Sequence, residues 1–579
     1  MSTAETLASD PVNLHQLLSA DNELQCPLFQ RPYVWTKKNI DQLWADIDTI
    51  REEEFDARFL GALVFDNEYA STARKAGLYW IIDGQQRLTT LFLSLVALCE
   101  VAVEASDAKL AKDIAGQYLL SRKSNNDGQP KLRPTLNDTR QFNKIIITAL
   151  GEQAVVNTAH EQGAAEGNMR SSYELILKHV RKRCVDMDGD ASSELVQKLR
   201  DVLLDGLEFV EIRLGEKHDA NEVFDRLNKE GERLGIIDLV RNEVLKRLRD
   251  SPAEAAELYS RHWKPFEESF ENRQDLDKYF FPFALTKDSS VTKSRTFSSL
   301  ARRWSELIAD VERPVDQLIL IMKDLSSGLP AYNAVAAGQA IPMATAQLSE
   351  QLRRLHDLDA PTVVYPYLMS AVTEAIDGKV EHSAVSQCLA TVESFLVRRA
   401  MVGLEPTGLH AVFKVLWERA GSDPVAVRKH LDTATIEFPS DNDFKEAVTS
   451  ARLFRRRIRN YVILELERNH TSGDVLKSFP EMTVDHILPQ SPDGEWLELF
   501  KDYERERWVD TWANLVPLSG KANSEKGRTS WQNAREKLSN ETVFSTTKHV
   551  YDDYEEWNVD SLERRAGEIS AWALERWPS

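Results

Sequence analysis

No single hydrophobic core can enclose a chain of 579 residues, because cores stop growing at roughly 250–300 residues and longer chains divide into domains. At about 100–200 residues per domain, roughly three to five units are expected, and motifs far apart in the chain can serve separate tasks. The apolar share of 42% and charged share of 28% are those of an ordinary folded chain and exclude a mostly disordered one. No stretch reaches the ~18 apolar residues of a membrane span, and the opening MSTAETLASDPVN lacks the basic and apolar parts of a secretory signal. A cytoplasmic protein with no membrane partner is expected. Cys26, Cys99, Cys184 and Cys388 are scattered without CxxC spacing, which fits a reducing compartment and argues against a disulfide framework or a thiolate zinc site.

Hydropathy periodicity then divides the chain. FLGALVF and LYWIID read as short buried strands, Lys37 to Glu53 and Leu88 to Glu104 as helices, and LEFVEIRL as a further strand ending near Leu214. From Asn221 to about Asn469 nearly every window has helical spacing, interrupted at Pro252, Pro282, the GLPAYNAVAAGQAIP loop and Pro361. After His470 the loop HTSGD and Pro480 precede a compact final segment. The expected fold is α+β and predominantly helical, with an α/β region over 1–219, a helical middle over 220–470 and a last domain over 471–579. There is no internal repeat and no low-complexity tract, so a solenoid or a binding tail is not expected.

A net charge of -20 repels duplex phosphates over most of the surface, so any contact with DNA has to be local. The best local candidate is the run Arg452, Arg455, Arg456, Arg457 and Arg459 on a predicted helix, with Arg455 and Arg456 as the DNA-contacting pair. A salt-bridged helix face is the plain alternative.

The densest chemistry lies in MTVDHILPQS followed by WANLVPLSGKANSEKGRTSW. Phosphodiester hydrolysis needs an activated water, a cation against the developing charge, and donors that position the phosphate. His486 suits the general base, since an imidazole titrates near neutrality. Asp485 and Asn523 offer hard oxygen ligands, which favour Mg²⁺ or Mn²⁺ over zinc. Asn514 is expected to hold the loop and orient the histidine, and Lys521 or Lys526 to meet phosphate. Neighbouring strand residues point to opposite faces, so Asp485 and His486 can share one site only where the strand ends or twists.

A second constellation joins the strand LYWIID to a helix through Asp83, Gly84, Gln85, Gln86 and Arg87. A helix N-terminus presents unpaired N–H groups and the positive end of its dipole, which suits a phosphate. Gly84 permits close approach, Arg87 offers a fork to phosphate, and Asp83 a metal ligand. Upstream, PLFQRPYVW adds Arg31 and Tyr33 as nucleotide contacts, although an apolar staple explains its aromatics equally well. No GxxxxGK[ST] loop occurs, so an NTP site has to use DGQQR.

The C-terminal motifs resemble the HNH, or ββα-metal, nucleases. That resemblance implies His486 as base, Asp485 and Asn523 as ligands of one metal ion, and Asn514 as structural; Lys526 joins them as a catalytic candidate on its own chemistry. DGQQR, FQRPYVW and ANEVFDRLNKEGERLGIIDLVRN resemble the ParB/sulfiredoxin-like domain of GmrSD-type, modification-dependent (type IV) restriction enzymes, which join it to a C-terminal HNH domain. Asn228, Asp238, Arg241 and Asn242 match the third segment, and Arg398 and Arg399 in SFLVRRAMVG also fit the family pattern, with helix packing and a buried salt bridge as the respective alternatives. The resemblance implies NTP binding and hydrolysis, with GTP or ATP, and cleavage of modified double-stranded phage DNA such as glucosylated hydroxymethylcytosine. A phosphorothioate-sensing enzyme of the same architecture, a ParB-like DNA-binding regulator with an inactive nuclease domain, and an interaction scaffold stand as alternatives, and a homodimer stays open as the assembly.

Overall fold

The computed structural model describes residues 11–19, 22–26, 32–52, 58–66, 78–124, 126–156, 167–214, 236–245, 257–433, 436–471, 482–527 and 529–579. The fold is α+β and predominantly helical. The chain forms two compact units, one from Met1–Pro265 with Trp304–Met322 and the other from Phe266–Arg303 with Lys323–Ser579.

The first unit is built on a mixed sheet in the order β1-β6-β3-β4-β2-β5. The strands are β1 (Pro11–Asn13), β2 (Glu23–Gln25), β3 (Arg58–Asp66), β4 (Leu78–Asp83), β5 (Leu132–Arg133) and β6 (Leu207–Leu214). The expected strands are β3, β4 and β6, of which β3 runs antiparallel to β4 and parallel to β6. Helix Gln85–Glu104 leaves β4 directly and is buried on nearly every side. By length and composition it would cross a membrane, against the expectation that no stretch would, but 83% of its most apolar window lies inside the protein. Its apolarity serves the core, where Leu91, Leu95 and Leu98 meet Ile176 and Val180 of helix Asn168–Arg183 and Ile145 and Ile146 of helix Thr139–Leu150.

The second unit starts as a helical array and ends around the hairpin of β7 (Met482–His486) and β8 (Leu515–Ser519). Two expected breaks are absent: Pro282 lies within helix Arg273–Lys287, and the expected GLPAYNAVAAGQAIP loop contains helix Leu329–Ala336. In the latter, proline within the first turn occupies a place where its missing N–H costs nothing. The expected arginine helix is also corrected. Arg452 makes a β-bridge to Thr511, the next residues turn, and the helix begins only at Arg459.

Two cores flank the hairpin. Val516 and Leu518 enter one with Trp496, Trp508, Trp531 and Trp557. Leu515 and Val484 enter the other, where Val397, Met401, Tyr461 and Leu466 meet Trp512 and Trp577. Helices on both sides of residue 470 thus share one core.

Candidate nuclease and nucleotide sites

The register of the hairpin decides what each residue of the DH pair faces. Thr483 pairs with Leu518, Asp485 with Val516 and His486 with Leu515. Asp485 and His486 are the last two residues of β7, so the pair stands where the strand ends, with the cross-strand partner of Asp485 in one core and that of His486 in the other. Helix Gly520–Lys526 packs against both strands and completes a ββα arrangement.

On the helix side, Lys526 Nζ donates to Asp485 Oδ2 at 2.7 Å and to the His486 carbonyl at 2.6 Å. Only 4% of Lys526 is exposed, so it does not reach outward to phosphate as expected. Its ammonium neutralises Asp485 and ties the two residues together through backbone. Asn523 Nδ2 donates to Thr483 Oγ1 at 3.2 Å, which engages the nitrogen and leaves the amide oxygen as the ligand-type atom. Lys521 is exposed on the first turn of the same helix.

On the other side, His486 Nε2 meets Asp510 Oδ1 at 3.1 Å, and Gln490 Nε2 donates to the same oxygen at 3.1 Å. The Phe454 ring covers the imidazole at 4.2 Å between centroids. Burial pushes the His486 pKa below its ordinary value, with Asp510 pulling the other way. The ring is thus biased to the neutral form that a base requires. Asn514 is fully buried: it donates to the carbonyls of Leu488 at 3.0 Å and Val509 at 2.8 Å, and accepts from Leu488 N at 2.8 Å. It fastens the loop after His486, the structural part expected of it.

Asp510 escaped the sequence reading. Its only local signal is an acidic residue just ahead of the WANL turn, which does not stand out among 92 acidic residues.

The arginines are mostly committed within the protein. Arg456 donates to the carbonyls of Ala400 and Met401 at the end of helix His382–Val402, and Arg459 to the Phe454 carbonyl at 2.7 Å. Arg452 pairs with Glu506 and Arg457 with Asp359. Arg456, expected to touch DNA, is thus a helix cap instead, and exposed Arg455 remains the outward candidate. Arg398 is also structural: fully buried, it donates to the carbonyls of Trp577 at 2.7 Å and Pro439 at 3.0 Å and pairs with Asp441. Arg399 donates to the carbonyls of Glu437 and Glu405.

In the first unit Gly84 caps helix Gln85–Glu104 at φ 89°, and a Cβ there would lie 2.4 Å from Leu63 Cδ2. Close packing as well as handedness demands glycine. Arg87 crosses β3, donating to the Ala62 carbonyl at 3.3 Å over Gly61. Burial lowers its pKa while Asp83 opposes the shift. A pocket of about 370 Å³ opens beside it, lined among others by Trp35, Lys38, Arg58 and Phe59.

Two expected nucleotide contacts are used internally. Tyr33 is buried, its hydroxyl 2.7 Å from Thr90 Oγ1 and its N–H donating to Asp138. Gln86 accepts from Val34 N at 2.8 Å and donates to the Pro32 carbonyl at 3.2 Å, clamping that segment onto the helix. Gln85 is buried at the helix start. Arg31 and Asn228 lie outside the described residues, as does the side chain of Asn242. Asp238 and Arg241 are buried and 3.6 Å apart, with Arg241 over the Trp263 ring, so they pack their helix.

Two family models match the chain: GmrSD restriction endonuclease, N-terminal domain, over residues 14–245, and GmrSD restriction endonucleases, C-terminal domain, over residues 438–572. The chain belongs to the GmrSD restriction endonuclease family. Comparison with curated proteins gives no match. As a GmrSD-type enzyme the protein is a type IV restriction endonuclease, a hydrolase that has DNA as its partner. The C-terminal GmrSD match begins upstream of Arg452, so it takes in Phe454, which covers His486. The N-terminal match contains DGQQR and the pocket beside Arg87.

Proposed function

We propose that this restriction endonuclease cuts modified phage DNA with an HNH-type site on the β7–β8 hairpin, under control of an NTP-binding first unit. The observation that carries the nuclease reading is His486, buried, biased to the neutral form and held by Asp510, on the same short strand as Asp485.

Phosphodiester hydrolysis begins when His486 takes a proton from water as the oxygen attacks phosphorus, and the P–O bond to the leaving sugar oxygen breaks as that oxygen takes a proton from solvent water. Asp485 Oδ1 and Asn523 Oδ1 form a donor set that fits Mg²⁺ or Mn²⁺, ions that keep several waters and need few protein oxygens. Among the described residues no cluster of three or more His, Cys, Asp or Glu competes as a metal centre. Bound there, the ion supplies Lewis-acid stabilisation of the phosphate charge. Lys526 adds a fixed positive charge behind Asp485. Arg455 and Lys521 are the outward cations for backbone contacts.

In the first unit the Trp35 ring suits a nucleobase, and Lys38, Arg58 and Arg87 suit the phosphates of GTP or ATP. Restriction by modification requires a gate, and nucleotide binding or hydrolysis shifts populations by its differential affinity for two arrangements. A glucosylated base is the favoured signal, and phosphorothioate the alternative within this architecture.

The test incubates purified protein with unmodified, base-glucosylated and phosphorothioated DNA, with and without NTP and with Mg²⁺, Mn²⁺ or EDTA. Cleavage of glucosylated DNA only, lost in EDTA and in His486→Ala, is expected. A folded His486→Ala enzyme cutting at the wild-type rate refutes the base assignment. Asp83→Ala and Arg87→Ala are expected to lose nucleotide hydrolysis together with cleavage, and stably folded variants that hydrolyse NTP normally remove the nucleotide-site assignment.

A further inference from the structure

We propose that Asp510 is the positioning residue of the nuclease site: its carboxylate fixes which way the His486 ring faces and which ring nitrogen bears the proton. The inference rests on the reading of His486 as the base.

An ionised carboxylate only accepts hydrogen bonds, so the 3.1 Å contact between Asp510 Oδ1 and His486 Nε2 places the proton on Nε2. In the neutral ring the lone pair then sits on Nδ1, the nitrogen left to take a proton from water. Nδ1 makes no hydrogen bond within the described residues.

The acceptor is itself held. The Asp510 carbonyl receives N–H groups from Leu453 at 2.7 Å and Phe454 at 3.2 Å, the β-bridge Arg452 to Thr511 lies alongside, and Gln490 donates to the same carboxylate oxygen. The same backbone contacts bring the Phe454 ring over the imidazole. Rotation of the ring would exchange the nitrogen facing Asp510 for a carbon and sacrifice this hydrogen bond. A purely structural aspartate has no need of a histidine partner, because Gln490 already donates to it.

The experiment measures single-turnover cleavage, KM, DNA affinity and melting temperature for Asp510→Asn, His486→Ala and the double variant, all in the full chain. The near-isosteric amide can turn its NH₂ toward the ring and no longer dictates the tautomer. The expected result for Asp510→Asn is a kcat lower by about 10–100-fold, as for other partners that orient a functional histidine, with KM, affinity and melting unchanged. In the His486→Ala background the same change is expected to add nothing, because Asp510 acts through the ring. A kcat within twofold of wild type, an additive loss in the double variant, or a loss matched by lower melting overturns the proposal. Wild-type cleavage by His486→Ala instead overturns the base reading beneath it.

Discussion

Replacing Lys526 with methionine separates two roles for this residue, a phosphate contact or a buried counter-ion. The side chain keeps its length and loses its charge. Left behind are the Asp485 carboxylate, whose side chain is 13% exposed, and the His486 carbonyl, formerly bonded at 2.6 Å. Removing one partner of a buried ion pair costs about 3–5 kcal/mol. The partial exposure of Asp485 argues for the lower end, about 3 kcal/mol, with the orphaned carbonyl included. At roughly 2–4 °C per kcal/mol for a large domain, the melting temperature of the second unit falls by about 6–12 °C. Circular-dichroism melts of Lys526→Met and of Lys526→Met with Asp485→Asn provide the assay. The second change removes the stranded charge and is expected to recover most of the loss. A single variant that melts like wild type but binds or cuts DNA poorly would refute the counter-ion role and restore the phosphate contact.

Three further outcomes follow from the packing. Gly84→Ala forces a left-handed alanine against Leu63 Cδ2, 2.4 Å from the new Cβ, and is expected to destabilise the first unit by about 2–4 kcal/mol in urea titrations; an unchanged midpoint contradicts the close approach. Arg398→Met leaves the Trp577 and Pro439 carbonyls and Asp441 without their donor and is expected to cost about 3 kcal/mol by the same assay in the second unit; a loss below about 1 kcal/mol contradicts the anchoring role. Burial raises the Asp138 pKa from 3.8 to about 6, so the folded chain holds a proton there that the unfolded chain releases, and this contribution to stability shrinks as pH rises from about 4 to about 6. Asp138→Asn is expected to flatten that part of the stability profile, and an unchanged slope rejects the assignment.

Where local pattern determines structure, the sequence could be read directly. β3, β4 and β6 are apolar or alternating runs of six to nine residues, and Asn514 already read as the residue that holds the loop. β1, β2 and β5 span only two or three residues, too short for a period, and exist because the sheet supplies their partners. The arginine run looked helical by composition, yet Thr511 bridges Arg452 and the Asp510 carbonyl takes the amides of Leu453 and Phe454 ahead of a turn, tertiary contacts with no local signature. Lys526, Tyr33 and Gln86 carry the right chemistry for ligands. Their burial diverts it to internal partners, and burial is fixed by the whole fold. Asp510 was hidden for the same reason: it lies 24 positions from His486 and meets it only across the fold.

The shared core across residue 470 bears on any attempt to transplant the cutting activity. A fragment starting at residue 471 would carry Asp485, His486, Asn514 and Asn523 but leave behind Phe454, which covers the imidazole, and the two amides that hold the Asp510 carbonyl. It would also lose Glu467, which accepts from Ser545 N at 2.6 Å and Thr546 N at 2.8 Å, and the Glu393 and Glu465 carboxylates that bind Arg576. The portable piece is therefore longer than its motifs. A chimera that keeps the active geometry has to be spliced ahead of helix His382–Val402, and a protease cut between residue 470 and β7 is expected to leave two fragments that still copurify.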